Sequence, residues 1–136
     1  MNKFLIRITL LLVCFSLLYF CASCSNFNDN DEKINVIPQN NISYTHLEFG
    51  NVVDEGKQAV FFNFSSDFIV IKMEINGVLL DKSGDTIYSF DTALTFSSPS
   101  INPKFPIRID ANLIKNVNSA SFTKIKAYTT QEVNFR

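Results

Sequence analysis

Tryptophan is missing from this chain of 136 residues, histidine occurs once, and no cysteine follows position 24. Each absence removes a class of chemistry. Cys14, Cys21 and Cys24 are the only thiols, so everything beyond Cys24 lacks a disulfide framework, a thiolate zinc site and a cysteine nucleophile. The one histidine, His46, excludes a multi-histidine metal centre and argues against a histidine-based triad; in a strand-like stretch it reads as structural or exposed. The four glycines form no phosphate-cradling loop, and no nucleophile elbow or carboxylate pair at a recognisable spacing occurs. Asp81, Ser83 and Asp85 offer oxygens to a cation, but their loop carries Lys82 and lacks a bidentate glutamate at EF-hand spacing. It reads as a plain turn, and Asp54-Glu55 as solvated loop carboxylates. The expectation is a protein without metal or cofactor, and not an enzyme.

What is present is apolar and aromatic. Fourteen phenylalanines in 136 residues, with many Val and Ile, are enough for one small core and no second one. From Cys24 onward there are 10 basic and 13 acidic side chains. Residues 25–100 hold 4 basic and 11 acidic side chains, and residues 101–136 hold 6 and 2. Pairing of distant strands would neutralise this asymmetry, and the overall balance does not suit a nucleic-acid partner.

The N-terminus reads as an export leader. Lys3 and Arg7 precede an uncharged apolar run, Ile8 to Phe20, which is shorter than the ~20 residues a spanning helix requires. The string Leu18-Tyr-Phe-Cys21-Ala22-Ser23-Cys24 then sets small residues directly before a cysteine, and this resembles the lipobox of bacterial lipoproteins. Cys21 stands where that motif usually carries Leu. The resemblance implies a signal peptide over 1–23 and lipidation of Cys24, with several acyl chains giving stable attachment at ~0.8 kcal/mol per buried methylene. The location implied is the bacterial cell envelope, on the outer membrane and facing the periplasm or the surface. A retained signal-anchor helix and cleavage without lipidation are the alternatives. Residues 24–40 read as the lipidated cysteine and a polar, Asn-rich tether that buries too little to order itself.

From 41 to 136 the pattern is period-two, with frequent turn residues. Ile42–Phe49 reads as a strand with an irregular alternation, Gly50–Lys57 as a turn, and Gln58–Ser65 as a strand burying Val60, Phe62 and Phe64. Phe68–Ile75 reads as the central strand, with Ile69, Ile71, Met73 and Ile75 buried and Phe68, Val70, Lys72 and Glu74 opposite. Asn76-Gly77 is expected at a bulge, with the reversal at Asp81–Gly84. Thr86–Phe90 and Thr92–Phe96 are short strands, either separate or continuous through Asp91, and Ser97–Pro103 is a loop. Pro106 opens a strand through Ile107, Ile109 and Ala111, with Arg108 and Asp110 pointing out, the proline suiting a strand start or an edge position. Leu113–Asn118 is a connection, and Ser119–Thr129 the last strand. The fold class expected is all-β, an antiparallel immunoglobulin-like β-sandwich of about seven strands.

The absent Cys–Trp–Cys core points to the fibronectin-III-type branch of that architecture. Val78-Leu-Leu-Asp-Lys-Ser-Gly-Asp-Thr-Ile87 is similar to the strand–turn–strand of FxLYD domains, with Gly77 in place of the opening aromatic and Leu80 in place of the Tyr. Phe62-Asn-Phe64 through Ile75-Asn-Gly77 resembles the late-embryogenesis-abundant type 2 sandwich. Both resemblances imply a small non-catalytic domain and supply no functional residue. The function expected is therefore a membrane-anchored module that binds a protein or other envelope partner, with Phe68, Val70, Lys72 and Glu74 as candidate binding residues. The alternatives are an inhibitor or immunity-like lipoprotein that blocks an envelope protein, and a small hydrolase.

Overall fold

Large apolar side chains at every second position make a strand with one dry face, and two such sheets must bury those faces against each other. The computed structural model describes residues 32–133; the leader, Cys24 and the tether as far as Asp31 lie outside the described residues. The strands are β1 (Asn35–Val36), β2 (Ile42–Asp54), β3 (Lys57–Ser66), β4 (Val70–Leu80), β5 (Thr86–Ser100), β6 (Lys104–Asp110) and β7 (Ser119–Thr129), with one helical turn, α1 (Ala111–Ile114), before the last. Two antiparallel sheets result, ordered β1-β7-β4-β5 and β2-β3-β6. The fold is an all-β sandwich. Its order matches the immunoglobulin-like arrangement, with β2, β3 and β6 in the places of strands A, B and E, and β5, β4 and β7 in those of C′, C and F. The edge that strand G holds in that arrangement is taken by the N-terminal β1.

The core follows from the alternation. Val60, Phe62 and Phe64 of β3 face Met73, Ile75 and Leu79 of β4, with Phe105, Ile107 and Ile109 of β6 on the same inner face as β3. Five aromatic rings join the sheets. Phe122 of β7 packs against Tyr44, Phe62, Phe64 and Phe90 at centroid distances of 4.9, 5.2, 5.6 and 5.6 Å. Gly77 sits beneath them. It pairs with Phe90 on one side and with Phe122 on the other, so the two rings meet above a residue that has no side chain. A Cβ there would overlap the Ser121 carbonyl oxygen and lie 2.9 Å from Phe90 Cζ.

The turns obey local chemistry. β2 and β3 are joined by Glu55 and Gly56, both at positive φ (40° and 78°), as a two-residue hairpin matched to strand twist requires. The β4–β5 reversal is built on Asp81, whose Oδ1 accepts from the backbone N–H groups of Ser83 and Asp85 at 2.8 and 3.0 Å, with Gly84 at φ 87°. Asp110 caps α1 by accepting from the Asn112 N–H at 2.9 Å.

Four expectations need correction. Ile69 is exposed and Ile71 only half-buried, whereas Val70 is fully buried. The cause is a register irregularity between Val70 and Lys72, where β5 passes from Ser100 to Thr95 and the period-two count breaks. β2 does not stop at Phe49 but continues through Gly50 to Asp54, and the turn shrinks to two residues. Thr86–Ser100 is one strand, continuous through Asp91, and Ser97–Ser100 extends it where a loop was expected. Residues 35–37, placed by sequence in the tether, belong to the sandwich: Ile37 is buried and its N–H donates to the Ala127 carbonyl. The bulge expected at Asn76-Gly77 is present, but the extra residue is Thr123 of β7, whose hydroxyl bonds to Asn76.

Gly77→Ala should lower stability by about 1–3 kcal/mol, the range for overpacking a tight interior, because the added methyl meets the Ser121 carbonyl and the Phe122 backbone as well as the Phe90 ring. Urea unfolding reads this as a lower midpoint at unchanged slope. A midpoint equal to that of the parent would show that the rings do not close on the glycine.

Candidate functional site

β5 and β6 are edge strands of different sheets, and the sandwich is open between them. The opening holds a cavity of about 720 Å³. Tyr88, Phe90 and Thr92, which pair with Leu79, Gly77 and Ile75 of β4, line it together with Ile107 of β6 and with Ala59 and Phe61 of β3. Its rim is mixed, with Ser89 and Asp91 on the β5 side and Pro106 and Arg108 on the β6 side. An edge strand presents a row of backbone N–H and C=O groups without ladder partners. Pro106 withholds one donor from its row, and its edge position is the one a strand proline tolerates.

Arg108 takes part in none of the three ion pairs formed among the described side chains. Its planar five-donor fork is thus available to a carboxylate or phosphate. Phe61 is the one ring of β3 turned outward, half-buried on the outer face beside Gly50 and under the Lys104 ammonium, 4.5 Å from the ring centre. Lys104 also donates to Glu48 Oε1 at 2.8 Å.

A second cluster lies on the outer face of the four-stranded sheet. Glu74 accepts from the Tyr128 hydroxyl at 2.7 Å and from Lys124 Nζ at 2.9 Å, with Lys72 Nζ at 3.4 Å. The Tyr128 ring lies 5.0 Å from Lys72 Nζ and 5.1 Å from Lys126 Nζ. Hydrogen bonds from Tyr128 and Lys124 hold the Glu74 carboxyl down to about 2. The Glu74 carboxylate in turn raises the Lys124 ammonium.

The four candidate binding residues do not share one surface. Lys72 and Glu74 stand on the outer face as expected. Val70 is fully buried in the core, and Phe68 is half-buried against it, so neither offers a free docking group. His46 is exposed, and its Nδ1 lies 3.1 Å from the Thr45 hydroxyl. Among the described residues no three His, Cys, Asp or Glu side chains come together as a metal site would require. Sequence reasoning passed over the β5–β6 opening and the Tyr128–Lys124 pair. Alternation of Tyr88, Phe90 and Thr92 marks one face of β5, but nothing local sets that face beside Arg108. The chain matches no family model, no curated protein and no solved structure.

Because the folded Glu74 carboxyl titrates below its ordinary 4.5, its contribution to stability is complete above about pH 4.5 and is lost as pH falls toward about 2. NMR titration of the Glu74 carboxyl should give a midpoint near 2, drifting upward at high salt because the site is solvent-accessible. Glu74→Gln should show a smaller loss of stability across that interval than the parent. A midpoint near 4.5 would mean that Tyr128 and Lys124 do not hold the carboxylate.

Proposed function

We propose that this chain is a bacterial envelope lipoprotein, anchored through Cys24, whose sandwich is a non-catalytic module binding an extended segment of a protein partner. The observation that carries this reading is the opening between β5 and β6, where two unladdered strand edges flank the cavity. An extended segment laid there gains main-chain hydrogen bonds from an edge whatever its sequence. Alternate side chains of that segment then enter between Tyr88, Phe90 and Ile107. Specificity falls to the rim, where Arg108 and Asp91 carry opposite charges on opposite banks and favour a segment with the reverse pattern.

The lipobox-like string Cys21-Ala-Ser-Cys24 supports the anchor. The FxLYD-like and late-embryogenesis-abundant-like stretches fall on the β4–β5 hairpin and on β3–β4, which agrees with a small binding sandwich in which no residue acts on substrate. An inhibitor of an envelope protein would use the same opening and differ only in what becomes of the partner.

Two measurements test the proposal separately. Growth with a fatty-acid analogue should label the parent, while Cys24→Ala should be unlabelled and leave the membrane fraction; equal membrane retention would favour an uncleaved helix. A photo-crosslinker at Ser89 should capture a discrete partner band from intact cells. Arg108→Glu should reduce that band at least about tenfold, the cost of breaking a desolvated charge contact, without lowering the unfolding midpoint. Undiminished capture by Arg108→Glu would place the partner elsewhere.

A further inference from the structure

The end of the sandwich where the chain comes in exposes four large aliphatic side chains among its polar ones. Ile34 is 62 % exposed, Ile101 49 %, Val36 43 % and Ile69 42 %. Ile34 lies just before β1, Ile69 just before β4 and Ile101 just after β5, all at the end of the sandwich where β4 begins beside the finish of β5 and β7; Val36 follows two residues after Ile34. The Ile69 N–H donates to Gln131 Oε1 at 2.6 Å, and the Gln131 carbonyl accepts from Asn35 Nδ2 at 3.0 Å. Ile34 and Val36 flank that asparagine. Single exposed aliphatics need no explanation, whereas several gathered at the end of a domain next to its tether mark a surface that is covered in use.

The opposite end, built from the Glu55-Gly56 hairpin and the Asp81–Asp85 reversal, exposes Lys82, Ser83, Gly84 and Asp85 at its tip. The other exposed large apolar residues, Phe49 and Val52, lie on β2 and are not part of the patch.

We propose that this patch seats on the bilayer surface, so that the domain stands on its membrane with Ile34, Ile69 and Ile101 in the interfacial layer. The proposal rests on the lipid anchor at Cys24 and adds an orientation to it. Only ten residue steps separate Cys24 from Ile34, a reach of at most ~35 Å at full extension. The patch is therefore held close to the lipid that anchors it. At such a local concentration, contacts too weak to recruit a free protein are sufficient. The surrounding charges, Lys33 against Asp67 and Glu132, give no attraction to an acidic surface, so burial of the aliphatic side chains drives the contact and neutral lipid suffices. The same orientation turns the Asp81–Asp85 end away from the membrane.

The test uses acylated full-length protein reconstituted in phosphatidylcholine vesicles. The mature domain contains no other cysteine, so Ile34→Cys, Ile69→Cys, Ile101→Cys and a control, Ser83→Cys, can each carry a polarity-sensitive fluorophore. Spin-labelled lipid should quench positions 34, 69 and 101 at least threefold more than position 83, with blue-shifted emission at the first three. Each variant should retain the parent's unfolding midpoint, and three positions keep the comparison decisive if one variant folds poorly. Mass spectrometry of the N-terminal peptide reads the anchor on the same sample. Acylated protein with equal quenching at all four positions overturns the docking and leaves the anchor standing. Absence of the acyl mass removes the anchor and overturns both.

Discussion

Two phenylalanine rings closing over a glycine set the geometry on which the rest of this sandwich depends. Phe90 and Phe122 stand on either side of Gly77 in the register of the four-stranded sheet. With no side chain between them their centroids come within 5.6 Å. That paired surface receives Phe62 from the facing sheet, 4.9 Å from Phe90 and 5.2 Å from Phe122. Aromatic pairs of this kind contribute about 0.5–1.5 kcal/mol each beyond the area they bury. Their greater effect is positional: tilted and edge-on rings interlock in few ways, so they fix how one sheet lies over the other. Tyr44 completes the cluster from β2, and partial burial raises its phenol above the ordinary value. The opening between β5 and β6 begins where this cluster ends, with Phe90 belonging to both.

The electrostatics follow from the same stacking of strands. The acidic first part of the chain and the basic last part meet across the sheets. Glu74 on β4 receives Lys124 and Tyr128 from β7, and Glu48 on β2 receives Lys104 from β6 across the intervening β3. What the sequence shows as a lopsided distribution becomes two local neutralisations. Arg108 is left outside them among the described side chains, and a guanidinium free of those pairs at the mouth of the opening selects among partners more than it stabilises the fold.

Much of the framework is legible along the chain, and the failures have physical causes. Val60, Phe62 and Phe64 mark β3 because a regular strand repeats every two residues. The Asp81–Gly84 reversal is read from side-chain chemistry that acts within five residues. Ile69 and Ile71 mislead because a register irregularity at the start of β4 cancels the two-residue count, and no residue of β4 itself announces it. β1 is invisible for another reason: two paired residues make no pattern, and only the far strand β7 gives them a ladder. Gly50 reads as a turn, yet it lies within β2 because the Phe61 ring needs the space, with Cε2 2.6 Å from where a Cβ would stand. The β5–β6 opening draws on segments separated by the Ser97–Pro103 stretch, and Glu74 acquires Tyr128 from more than fifty residues away. Such sites exist only after folding, so no local spacing encodes them.

The pairing of β1 with β7 also fixes an order of events. Asn35 and Val36 are among the first residues of the domain to be synthesised, and their partners, Thr129 and Tyr128, are among the last. β4 likewise has β5 at hand early but waits for β7 to occupy its other side, and Phe122 arrives with β7. A chain interrupted before Ser119 would keep a one-sided central strand, an unstapled N-terminus and a cluster missing its hub. Pairing of β1 and completion of the aromatic cluster therefore wait on the same strand, so what joins the two ends of the domain also closes its core.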